Sequence, residues 1–464
     1  MALLNTCFTK IRIGLPTCFM FMASILLIQP HTALSTDNSR EACQNILRDS
    51  LETIWTGGEF SPELKRRQQT MQKMLADGEV AGAELVPMME TAWKDIIDSR
   101  QTSRYIMKTL PDRINKLLTP HMDWEAVREI MWRALSSPIR KENPVHIKVG
   151  TLAPPGTPWL NVPETLVFPE IERLSEGKII TKIYGGGVMG EDTEILKKMA
   201  DDRLDCCGCT ALGVLEACPE ASALLLPGLF NNYAEVDYIC DKFRKRLDEG
   251  FEKQGYVLWA IIDTGFFYIF SKNKVNNLEE LRRQNVITWF GIIETTLFDE
   301  LEIKPIPLAV PDIIAALNTG QVDVNVAPAA WMLGMQAYQY SNFYLNPPLV
   351  YSPAAVIVST RTMDRIAAQT GRSAVFARNM MEVLAAEWNT MEPEWKRQIR
   401  LYEERSFKAF ETKCGMKSIT LPPEDRQVID QASKAVQQKL AGSVFPEDLI
   451  EDMQKALENY RAKH

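Results

Sequence analysis

From Pro144 onward, strand-like and helix-like segments alternate, and this alternation limits the fold more than any other feature of the chain. VHIKVGTLA (145–153) reads as a strand, VPETLVFPEIERLSEG (162–177) as a helix, and KIITKIY (178–184) as a second strand. EDTEILKKMADD (191–202) is a second helix and LDCCGCTA (204–211) a third strand. Strands separated by helices need crossover connections, which favour an α/β layer with a largely parallel sheet.

The second half repeats the theme. YVLWAIIDTGFFYIFS (256–271) reads as a strand pair or one long strand, and NVITWFG (285–291) as another. PDIIAALNTGQVDVNVAP (311–328) runs from helix through turn to strand, and AAVIVST (354–360) returns as a strand. Beyond Met363 the pattern is helical apart from GMKSITLPP (415–423). The expected architecture is a two-lobed α/β fold with a cleft and long C-terminal helices, preceded by a small all-α domain. One lobe takes 144–266 plus part of 354–464, and the other takes 267–353. A cleft between lobes is the default ligand site, and hinge closure a known way of using it.

Residues 36–143 have a different texture. ELKRRQQTMQKMLADG, AELVPMMETAWKDIID and WEAVREIMWRALSS space apolar residues three and four apart, with Gly78, Pro111 and Pro120 as punctuation. They predict a small all-α domain whose Met and Trp residues form its core. Ahead of it, Lys10 and Arg12 precede the apolar run Ile13–Ile28, and Ala33-Leu34-Ser35 supplies small residues. That is the layout of a secretory signal over 1–35, cleaved after Ser35 into the periplasm, with a retained anchor as the alternative. Cleavage would take the formal charge from −8 to −10, because Lys10 and Arg12 leave and no acid does. An acidic chain is a poor partner for nucleic acid.

Candidate chemistry is sparse. Gly185, Gly187 and Gly190 fit the dinucleotide pattern G-x-G-x-x-G, which would make the chain an NAD-dependent enzyme. The turn follows the second strand, however, and Glu191-Asp192 would place negative charge where a pyrophosphate should sit. Histidine is too scarce for the usual triads, and no G-x-S-x-G or H-E-x-x-H occurs. DCCGC (205–209) lacks the spacing of a metal knuckle, and cysteine also packs as a small hydrophobe. The expectation is a binding protein with no catalytic residues, no metal and no cofactor.

The order of segments resembles the extracytoplasmic solute-binding subunits of TRAP transporters, the dicarboxylate-receptor type. VHIKVGTLAPPGTPW is similar to the opening strand and ligand loop. EGKIITKIYGGGVMGEDTEILKKMADDRLDCCG, LLPGLF (225–230), NNLEELRRQNVITW, ALNTGQVDVNVAP and FETKCGMKSITLPP follow in the family's order. The resemblance implies a periplasmic-binding-protein-like fold and a periplasmic receptor that hands a small molecule to TRAP membrane subunits. It leaves 36–143 outside, as a dock for an accessory protein or for self-association. A sensor or lipid-handling protein on the same fold is the alternative.

The resemblance also implies a set of ligand positions: Trp159, Thr210, Phe267, Ile287, Trp289, Val310, Ala327 and Trp331. The family carries carboxylate-binding arginines at the positions matching Phe267 and Ile287. Arginine gives a carboxylate a two-pronged partner, and without it a buried carboxylate is costly. The substitution therefore predicts an apolar or neutral ligand, with Trp159, Phe267, Trp289, Phe290 and Trp331 as wall residues.

Overall fold

The computed structural model describes residues 37–288 and 291–464. The signal-like segment and the Trp289-Phe290 pair lie outside the described residues.

Five helices open the described chain: Asp37–Trp55, Pro62–Ala76, Leu85–Ser99, Arg104–Leu118 and Trp124–Ser136. Their boundaries follow local chemistry. Ser61 accepts from the Leu64 N–H ahead of Pro62, and Asp123 accepts from the Ala126 N–H, each satisfying a donor that the first helical turn leaves free. The apolar stripes bury Leu47, Leu51, Ile54, Met89, Trp93 and Ile97, with Trp55 and Trp93 packed edge to face. Pro111 does not punctuate as the sequence suggested, because the fourth helix runs through it. Met107, Leu110, Ile114 and Leu117 are buried around the proline, so packing of that face outweighs the backbone hydrogen bond that proline removes.

The strands are β1 (Val145–Thr151), β2 (Ile179–Tyr184), β3 (Cys206–Cys209), β4 (Tyr256–Ser271), β5 (Ile287–Thr288), β6 (Ile306–Pro307), β7 (Val324–Pro328), β8 (Phe343–Leu345), β9 (Val350–Ser359) and β10 (Lys417–Ile419). The main sheet has the order β10-β8-β4-β9-β3-β1-β2, with β7 also on β4. It is parallel across β2-β1-β3 and antiparallel where β9 and β4 join, so it is mixed rather than largely parallel.

The 16-residue β4 is one strand shared by both lobes. Its first part pairs with β9 beside β3, and its last residues pair with β7 and β8. The register slips between Asp263 and Gly265, where Gly265 has φ +122°. An irregularity at a backbone that only glycine adopts easily marks the crossing point as a bend.

The helical region is tied to the α/β part through the 40-residue helix Ala374–Lys413. Buried Arg104 bonds Asp248 at 2.9 Å, Glu382 at 3.2 Å and the Leu258 carbonyl. Arg128 bridges Glu387 and Glu170. Asn379 donates to the Ile97 and Arg100 carbonyls and accepts from the Thr102 N–H.

Candidate functional site

The glycine turn is the first part of the site. After β2, Gly186, Gly187 and Gly190 have φ of +66°, +74° and +91°, conformations that side chains resist. They turn the chain into the helix Asp192–Ala200, whose first turn is filled from within. Asp192 is fully buried and accepts from the Thr210 N–H (3.0 Å), the Thr210 hydroxyl (2.5 Å) and the Gly213 N–H (3.0 Å). Glu191 caps the helix and accepts from the Val310 N–H of the other lobe at 3.0 Å. Burial, and then the neighbouring Asp192 charge, push the Glu191 carboxyl up to about 7. A pyrophosphate would meet two carboxylates here. The turn locks β3 to β2 and touches the facing lobe.

Beside it lies a cavity of about 680 Å³, its mouth included. Thr151 and the loop Leu152–Pro154 after β1 form one wall, and Cys209 at the end of β3 and Thr210 after it continue the wall. Ile262 and Thr264 of β4 and Ala354–Val356 of β9 form the back. Val310 and Trp331 face them from the second lobe. Trp159, Trp388 and Trp395 complete the enclosure.

The aromatic walls are held in place. The Trp159 Nε1–H donates to the Asp263 carbonyl at 2.8 Å, and the Trp395 Nε1–H to the Pro158 carbonyl at 2.9 Å. The Trp388 Nε1–H is buried without a partner. Three hydroxyls reach the lining, and each donates into the protein: Thr151 to the Gly208 carbonyl, Thr210 to Asp192 and Thr264 to the Pro353 carbonyl. None of the described lining residues is Asp, Glu, Lys, Arg or His.

Of the sequence-derived positions, Trp159, Thr210, Val310 and Trp331 come together at this cavity. Phe267, Ile287 and Ala327 do not. Each is fully buried: Phe267 opposite Pro328 and Val350, Ala327 opposite Tyr268, and Ile287 opposite Ile306. They pack inside the second lobe. Trp289 lies outside the described residues.

Sequence reasoning missed Trp388 and Trp395. They stand seven residues apart on one helix, a spacing that puts both on one face, but the same spacing describes any buried helix face. It also missed Ile262 and Thr264, because a strand buried on both sides shows no alternation to separate cavity from core. The seven described cysteines are free thiols, and among the described residues no group of three or more His, Cys, Asp or Glu is placed to hold a metal.

Residues 149–443 match the family model for bacterial extracellular solute-binding protein, family 7 (DctP). The chain belongs to that family. Solved structures of TRAP periplasmic solute-binding proteins share its fold. One is a TRAP periplasmic solute-binding protein from Haemophilus influenzae RdAW with bound L-gulonate. It is 16% identical, with a TM-score of 0.59 over 67% of this chain and 99% of the other. Another is the sugar acid binding protein of Advenella mimigardefordensis strain DPN7T with galactonate, 18% identical, with a TM-score of 0.60 over 68% and 98%. A third, from Ochrobactrum anthropi, has its C-terminus in the ligand pocket. It is 22% identical, with a TM-score of 0.57 over 69% and 97%. Family-7 proteins are extracytoplasmic solute receptors, and the mixed sheet, the shared β4 and the interlobe cavity are how this member builds one. The five N-terminal helices precede the matched residues.

Proposed function

We propose that this family-7 receptor captures a small apolar or neutral molecule in the interlobe cavity and delivers it to TRAP membrane subunits. The observation that carries the reading is the charge-free lining, with its three hydroxyl protons already engaged. The relatives from Haemophilus and Advenella were solved with sugar acids bound. A carboxylate enclosed here would find no described cation, and an unpaired buried charge is strongly unfavourable. Trp159, Trp331, Trp388 and Trp395 offer apolar area instead, each able to contribute about 1.5–3 kcal/mol against a ligand.

Delivery to a permease rests on the family. The five-helix region, fastened to the same long helix that carries Trp388 and Trp395, serves as the accessory dock for a partner protein or a second copy. Secretion by the N-terminal signal, with cleavage after Ser35, completes the proposal.

The test is to purify the secreted chain natively, extract it with organic solvent and identify the extract by mass spectrometry. A neutral or apolar compound at near one per chain is expected. Recovery of sugar acids or dicarboxylates alone overturns the ligand class.

A further inference from the structure

A second cavity lies at the other end of the crossing strands, about 870 Å³ with its mouth. Phe230, Phe266, Ile269 and Tyr351 wall it, and the helix Pro423–Leu440 closes it with Arg426. The rings form an edge-to-face cluster: Phe230 and Phe266 each lie 5.5 Å from Tyr351, at 86° and 64°.

Two polar groups in this lining are idle. The half-buried Arg426 guanidinium has no hydrogen bond or ion pair among the described residues, and only its backbone N–H is used, to the Pro422 carbonyl. The Asn346 carboxamide makes no side-chain hydrogen bond among the described residues, and it is exposed at the mouth, while its backbone N–H bonds the Ile419 carbonyl. Asp430, one turn beyond Arg426, is exposed at the rim, where water screens its charge. The other buried or half-buried arginines of the lobes are paired, among them Arg244 with Asp248 and Glu392 and Arg400 with Asp237 and Asp263. A half-buried guanidinium beside an aromatic wall lacks an anion and can take a planar carboxylate in two parallel hydrogen bonds.

We propose that this cavity is a second binding site, for a monocarboxylate with an aromatic or other apolar body, whose carboxylate pairs with Arg426 and whose body packs on Phe266 and Tyr351. It differs in kind from the first cavity, whose described lining has no charge. The two meet at one residue. The Tyr351 hydroxyl donates to the Asp263 carboxylate at 2.8 Å, and the Asp263 carbonyl accepts from Trp159. An occupant resting on Tyr351 is therefore two hydrogen bonds from the wall of the interlobe cavity, at the bend of β4.

The experiment uses the whole secreted chain, with phenylacetate and its neutral analogue phenylacetamide as calorimetric probes. Phenylacetate is expected to bind about tenfold or more tightly than the amide. Arg426→Gln, folded to the same melting temperature, should bring the two probes level. A crystal soaked with 4-bromophenylacetate should show its bromine beside Tyr351. Equal affinity for the two probes, unchanged phenylacetate binding in R426Q, absence of saturable phenylacetate binding, or bromine in the interlobe cavity each overturns the assignment.

Discussion

Replacing Glu403 by glutamine should stabilise the chain at alkaline pH, with the gain fading as the pH falls. Glu403 stands on the helix Ala374–Lys413 with 6% exposure. One carboxyl oxygen accepts from the Tyr233 hydroxyl, and the other is buried without a partner. That second oxygen faces the bend of β4, 3.5 Å from where a Cβ on Gly265 would lie. Burial is the largest cause of the shift. The hydrogen bond from Tyr233 and the Arg400 charge act against it, while Asp263 and Glu404 add to it. The net result pushes the carboxyl from 4.5 up to about 8.

The folded state therefore holds this proton more tightly than the unfolded chain does. Below about pH 4.5 both states are protonated and the group costs nothing. As pH rises towards about 8 the unfolded chain ionises first, and stability falls by about 1.4 kcal/mol per pH unit. The full shift corresponds to about 4–5 kcal/mol. Structural relaxation and water entry on ionisation should reduce the observed loss to about 2–4 kcal/mol. Glutamine keeps the shape and cannot ionise. Chemical denaturation of wild type and Glu403→Gln at about pH 5, 7 and 9 should show the variant gaining on wild type as pH rises. A difference that stays constant with pH, or a variant weaker at alkaline pH than at acid pH, would refute the reasoning.

Arg104→Ala should destabilise by about 1.5–3 kcal/mol, because it removes a buried cation from Asp248 and Glu382, which keep Arg244 and Arg378 as partners; urea melts check it. Trp331→Ala should lower the amount of ligand co-purifying with the chain, by about 1.5–3 kcal/mol of affinity, while leaving the fold intact; extraction yield and far-UV circular dichroism measure the two effects. Phe267→Arg should act on folding rather than on the cavity, since it buries a cation in the second lobe. A soluble F267R chain with normal stability and altered ligand content would be the contrary result.

The two-lobed outline was legible because it rests on periodicity. Alternating strands and helices from Val145, the three-to-four spacing of the first helices, and the Gly185–Gly190 turn are local signals that the structure keeps. The acidic pair opens the helix after the turn, but its side chains bond Thr210, Gly213 and Val310, partners far away in sequence.

The cavity was only half legible. Trp159, Thr210, Val310 and Trp331 sit on loops and helix starts, whose position along the chain places them near the cleft. Phe267 and Ile287 were judged by what the family carries there. Apolar side chains at those positions satisfy the lobe's own core, where sheet pairing buries them completely. Trp388, Trp395, Arg104 and Glu403 could be given no role in advance, because each acts on residues far away in sequence. The sequence by itself determined which segments become helix or strand and that no triad or metal motif was written into it, because those depend on spacing within a few residues. Only the tertiary structure decided which buried aromatics face empty space, which arginines find carboxylates and which carboxyl oxygen is left without a partner, because burial and charge pairing depend on distances that the chain sets only once it is folded.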